Sequence, residues 1–185
     1  MKWLLIAFMF FSSSYSQDLD KNDTYSVIQT LGSVEIRAYK PALFIGYFSN
    51  ADIGNQSAYF RTLADYIFGN NKKEEKIAMT SPVVIKMPSK NEMLFRLPKG
   101  YNTKNAPKPN NKKIKFTTTS FCTKAVITYS GYTNQYKESK KIDELKKTLD
   151  QNNIKYTDEF ELFVYDPPYQ IFNRRNEISV NILND

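Results

Sequence analysis

Val34, Ile36 and Ala38 alternate with Glu35, Arg37 and Tyr39, the period-two pattern of a strand with one buried face. Similar runs recur along the chain. Residues 25–30 and 42–48 read as strands either side of it, separated by Leu31-Gly32-Ser33 and by Pro41. Residues 93–97, 114–119 and 125–129 predict further strands. Phe160, Leu162 and Val164 alternate in one more, and Ile178, Val180 and Ile182 in the last.

Two segments change period. Phe60, Leu63, Ala64 and Ile67 fall at i, i+3, i+4 and i+7, a helical stripe that Asn55 or Ser57 can cap and Gly69 can end. Ile142, Leu145 and Leu149 mark a second helix over 139–152. Its outer face is conventional, with Lys140, Lys141, Asp143, Glu144, Lys146 and Lys147. The first helix carries Tyr59, Tyr66 and Phe68 where the second carries charges. A solvated face does not need such rings, so either a loop covers them or they line a ligand groove.

Residues 76–87, Lys-Ile-Ala-Met-Thr-Ser-Pro-Val-Val-Ile-Lys-Met, form a nearly continuous apolar run interrupted at Thr80-Ser81-Pro82. Proline cannot donate to a sheet ladder, so this predicts a strand that bends there and resumes at Val83. The connection 99–113 is rich in Asn and Lys and holds Gly100, Pro107 and Pro109, which suits a surface crossing. On either side of it the order strands–helix–strands repeats. The pattern predicts an α+β fold, a distorted antiparallel β-barrel of two pseudo-repeats, each with one flanking helix.

The N-terminus stands apart. Lys2, the apolar run 3–11 and Ser14-Tyr15-Ser16 have the build of a signal peptide over 1–16, cleaved before Gln17. The apolar run is too short to span a bilayer. The reading is therefore a short disordered N-terminus at 17–23, a single domain at 24–185, export to the periplasm or the extracellular space, and no stable membrane span after cleavage.

Composition narrows the chemistry. With 185 residues the chain can bury a real core. Its 13 Tyr and 13 Phe give large ring surfaces suited to packing and to flat ligands. The net charge of +7 is spread in small groups and not gathered into a block, which argues against nucleic acid and favours a small hydrophobic anionic ligand. There is no histidine, so a Ser-His or Cys-His nucleophile pair cannot exist and the commonest metal ligand is missing. The single cysteine, Cys122, allows neither an intrachain disulfide nor a cysteine metal cluster. With 6 glycines and no glycine-rich phosphate loop, the chain reads as a binding protein and not an enzyme; a monomer is expected. The remaining enzyme alternative is an uncharacterised small hydrolase with Glu177 as base.

Several motifs, in order, carry a resemblance. Lys76-Ile-Ala-Met-Thr-Ser-Pro-Val83, then Phe95-Arg-Leu-Pro98 with Tyr101, Pro107 and Pro109, then Tyr165-Asp-Pro-Pro168 and Arg174-Arg-Asn-Glu-Ile178 resemble the SOUL/heme-binding protein family, over about residues 25–183. The resemblance implies a distorted barrel of two similar halves flanked by helices. It also implies binding of heme or another porphyrin in a hydrophobic groove beside the first helix. Its fold is similar to that of regulator domains that take lipophilic small molecules, which is the alternative ligand class. The site set is Tyr59, Phe60, Arg61, Ala64, Tyr66 and Phe68 on the helix. Tyr169 is added on a loop that could close over a ligand, and Arg174 and Arg175 as carboxylate partners. The two arginines also have a structural reading, pairing with Glu177 or Asp166 across the turn. Two departures matter. A histidine-ligated iron is impossible here, and the family's basic positions on the first helix fall near Ser57 and Asp65, neither of which is basic.

Overall fold

The computed structural model describes residues 17–18, 24–48 and 55–183. The leader expected over 1–16 lies outside the described residues, as does 19–23 of the expected N-terminal tail.

Eleven strands and two helices appear among the described residues. In chain order they are β1 (Gln17–Asp18), β2 (Tyr25–Leu31), β3 (Val34–Tyr39), β4 (Ala42–Phe48), α1 (Gln56–Ile67), β5 (Thr80–Ser81), β6 (Val83–Lys86), β7 (Glu92–Arg96), β8 (Ile114–Thr119), β9 (Cys122–Ser130), α2 (Gln135–Gln151), β10 (Tyr156–Val164) and β11 (Arg175–Ile182). β1 pairs in parallel with β5. The other nine strands form one sheet in the order β2-β3-β9-β11-β10-β6-β7-β4-β8, with every pairing antiparallel. It curls into a half-barrel, as the α+β barrel reading predicts.

The two halves are related as the repeat suggests. β6-β7-β4 with α1 corresponds to β10-β11-β9 with α2, and the halves join where β10 pairs with β6. The strand before each unit crosses over: β3 pairs with β9, and β8 pairs with β4. Each half therefore completes the other's sheet.

Both helices pack on one face of the sheet. Leu63, Tyr66 and Ile67 from α1, and Leu145 and Leu149 from α2, share a core with Ile36, Ile45, Phe95, Ile127, Leu162 and Ile178. A smaller apolar cluster of Val84, Leu94 and Phe163, with Tyr39, Phe44 and Tyr165 around it, belongs to the other strand positions and so to the opposite face. Gly46 allows close packing on that face, since a Cβ there would lie 2.6 Å from Leu94 Cδ2.

Local chemistry fixes the element ends. Asn55 caps α1 by accepting from the Ala58 N–H at 3.0 Å, and Gly69 follows the helix at φ +114°. Asn134 caps α2 in the same way through the Lys137 N–H, one turn earlier than the apolar stripe indicates. That first turn is held by Glu138, which is buried and ion-paired with Lys90 at 2.6 Å, a contact that periodicity does not show. The run 76–87 bends at Thr80-Ser81-Pro82 as expected, with a cis Ser81–Pro82 bond, but its strands are shorter: two residues before the proline and four after it.

Candidate functional site

The buried stripe of α1 is rotated relative to the sequence expectation. Tyr59, Leu63, Ala64, Tyr66 and Ile67 are buried, while Phe60 stands on the rim with 37% of its surface exposed. Tyr66 can enter the core because its hydroxyl donates to the Pro107 carbonyl at 2.8 Å. Its ring packs edge-on to Phe116, and burial pushes its pKa up to about 12. Tyr59 stacks on Tyr47 with centroids 4.6 Å apart. The two tyrosines read as groove-lining are thus core residues. Part of the expected cover exists: the connection 99–113 supplies the lid over Tyr66, and Asn71 pins the neighbouring turn through the Tyr66 and Glu75 carbonyls.

Phe60, Ala64 and Phe68 remain along α1 at i, i+4 and i+8. The small Ala64 lies between two accessible rings, and Phe68 is 66% exposed. Phe60 leans edge-on against Phe95, with centroids 5.2 Å apart. Arg61 is exposed on the same helix. The loop 165–174 leaves β10 after Val164, which pairs with Val83, the residue at which the chain re-enters the sheet after α1. The segment after α1 is in turn tied to its last turn, where the Ile77 N–H donates to the Ile67 carbonyl. On that loop Tyr169, Ile171 and Phe172 are 82%, 64% and 80% exposed. The end of the sheet that receives the chain from α1 thus also carries an apolar loop.

Arg174 and Arg175 take the structural role. Arg174 is buried, donates to the carbonyls of Asp166, Pro167 and Gln170, and lies over the Tyr132 ring at 4.6 Å. Arg175 pairs with Glu177 at 2.7 Å and lies over Tyr165 at 4.1 Å. Glu177, the candidate base of the hydrolase alternative, has no exposed surface. It accepts from Arg37 through both oxygens, at 2.9 and 3.1 Å, and from Thr128, Tyr165 and Arg175. Burial alone would raise its pKa, but Arg37 and Arg175 outweigh that and hold it below the usual carboxylate range. A carboxylate so enclosed offers a substrate neither access nor a free lone pair.

The opposite sheet face holds a cleft of about 310 Å³ that sequence reasoning missed. Phe44, Val84, Leu94 and Phe163 wall it, and the Tyr39 and Tyr165 side chains border it. Glu161 lies within it, buried, with Lys86 on one oxygen at 2.6 Å, Lys124 on the other at 2.5 Å, and the Ser179 hydroxyl at 3.1 Å. Burial opposes ionisation of Glu161, yet Lys124 and Lys86 bring its pKa below the usual range. Burial pushes the Cys122 thiol at the margin up, so it stays a thiol. The strand alternation that led to the helix-packed core also places Lys86, Lys124 and Glu161 on one face, but alternating polar positions read as solvent-facing until the sheet curls.

Among the described residues no group of His, Cys, Asp and Glu is arranged to hold a metal ion, and no helix is long and apolar enough to cross a membrane.

Comparison with solved structures bears on the fold. A hydrolase from Listeria innocua superposes with a TM-score of 0.59 at 7% identity, covering 84% of this chain and 94% of that one. The C-terminal domain of EcmrR superposes with a TM-score of 0.57 at 11% identity, covering 87% and 99%. At such identities the likeness is one of architecture alone. Sequence comparison goes further. Heme-binding protein 1 of Xenopus tropicalis is 30% identical over 135 residues, 69% of this chain and 70% of that protein. Heme-binding protein 1 of Xenopus laevis is 28% identical over 124 residues, 63% and 65%. The profile described as SOUL heme-binding protein spans residues 21–181, nearly the whole folded region, and the chain belongs to the SOUL heme-binding protein family.

Proposed function

We propose that this chain is an exported heme- or tetrapyrrole-binding protein whose ligand lies on the outer side of α1, with no histidine on the iron. The observation that carries the reading is the track Phe60–Ala64–Phe68, two accessible rings flanking a small residue, in a member of this family. A flat macrocycle buries apolar area against such rings. Tyr169, Ile171 and Phe172 supply the second apolar wall from the loop 165–174. Arg61 and the surrounding basic surface steady the anionic edge of the ring. This shifts the contacts from the expected set: Phe60, Arg61, Ala64, Phe68 and Tyr169 stay, while Tyr59, Tyr66, Arg174 and Arg175 support the scaffold.

The test is a hemin titration followed at the Soret band, run beside iron-free protoporphyrin IX. Saturable shifts with both are expected, since ring burial and not iron ligation drives binding. Phe60→Asp should weaken both about tenfold, the scale of one lost ring contact. No spectral change at micromolar hemin would end the tetrapyrrole reading and leave another lipophilic small molecule on the same surface, for which native mass spectrometry of protein from its source gives the mass. Export and a monomeric state are parts of the same proposal. A mature N-terminus at Gln17, and the mass of one chain by light scattering, are the expected readouts.

A further inference from the structure

The sheet face without helices holds a site that is separate from α1. Lys86, Lys124 and Glu161 form a charge group in which two ammonium ions share one carboxylate. Each ammonium has three N–H donors. Among the described residues, the hydrogen bonds of these two ammonium groups go to Glu161 alone, one from each. Lys124 is only 9% exposed, so its remaining donors are largely withdrawn from bulk water. Glu161, by contrast, is well supplied, with three donors on its two oxygens. The spare hydrogen-bonding capacity of this group is therefore in its N–H donors, which call for an acceptor.

Lys40, Arg96, Glu92 and Glu159 also line the cleft, cations and carboxylates in equal number. Its walls are apolar and aromatic. About 310 Å³ stands at the low end of small-molecule sites, room for a compact molecule and not for a macrocycle. Tyr39 and Tyr165 are fixed by the Arg37–Glu177–Arg175 network, so this wall is already formed without ligand.

We propose that this cleft binds a compact hydrophobic monocarboxylate, its carboxylate held by Lys124 and Lys86 and its apolar body between Phe44, Leu94 and Phe163. The test is an amide chemical-shift titration of the purified protein with 1-naphthoate, beside neutral naphthalene-1-carboxamide and cationic 1-naphthylmethylammonium. Saturable naphthoate shifts are expected on the strands bordering the cleft (β6, β7 and β10), with the carboxamide at least about tenfold weaker, as loss of a charged hydrogen-bond partner implies. Lys124→Met should weaken naphthoate by a similar factor. Leu94→Trp, which fills the cavity and leaves the charges in place, should block it. Equal or tighter binding of the cation or the carboxamide overturns the proposal. So does naphthoate affinity that is undiminished in a folded Lys124→Met variant, naphthoate binding that survives in a folded Leu94→Trp variant, or the absence of any saturable shift with the unmodified protein.

Discussion

Glu161 and Glu177 are both buried, and each survives as an ion because two cations share it. Removing one partner of such a group leaves an uncompensated charge in the interior, which costs roughly 3–5 kcal/mol. Arg37→Met should therefore lower stability by about that amount at neutral pH, read from denaturant unfolding. Both carboxyls have folded pKa values below the ordinary 4.5. The stability they contribute is present above that value and is lost as the pH falls through their depressed folded values. Thermal melts should be nearly flat from about pH 7 to 5 and fall below about 4.5. The Arg37→Met penalty should shrink over the same interval, because a protonated Glu177 no longer needs its guanidinium partner. A melting temperature unchanged at about pH 3 would contradict this account.

At the level of elements, the sequence located α1 but misjudged its rotation. The stripe Phe60–Leu63–Ala64–Ile67 and the observed stripe Tyr59–Leu63–Ala64–Tyr66–Ile67 share three positions. What turns the helix is the Tyr66 hydroxyl finding the Pro107 carbonyl, 41 residues away, and Tyr59 finding the Tyr47 ring. Neither partner is visible in a local window. The two positions should therefore respond differently to the same change. Phe60→Asp should leave the melting temperature near that of the parent, since the site is on the rim. Tyr66→Asp places a carboxylate where the structure has no exposure and should cost on the order of 4 kcal/mol or more. Equal stability of the two variants would mean that the helix face is assigned wrongly. The start of α2 shows the same limit, because its first turn is polar in sequence and is held by the Glu138–Lys90 pair.

On the scale of the whole molecule, the exchanged strands make the two halves interdependent. Without the second half, β3 loses β9, β4 loses β8, and β6 loses β10. A fragment of residues 24–109 retains α1 and six strands, but β3, β4, β5 and β6 each lose a partner, which strand chemistry does not tolerate in a stable monomer. It should show poor amide dispersion by NMR, while the full chain unfolds in one transition with coincident circular dichroism and fluorescence curves. A folded, monomeric fragment would break the argument.

The sequence by itself determined the family, the two-fold repeat, nearly every strand, both helices, the bend at Pro82 and the impossibility of histidine ligation. Each of these rests on local periodicity, on turn chemistry or on which residue types exist in the chain. The structural pairing of Arg175 with Glu177 was also within its reach, because those residues are two apart on one strand. Tertiary structure alone decided which face of α1 is buried, and it joined Arg37 to Glu177 across 140 residues. It also made a cleft from Lys86, Lys124 and Glu161, three residues that read singly as solvated strand positions. A strand's pattern says which side chains share a face. Only the curl of the sheet, set by pairings far apart in the chain, says whether that face meets water or encloses a site.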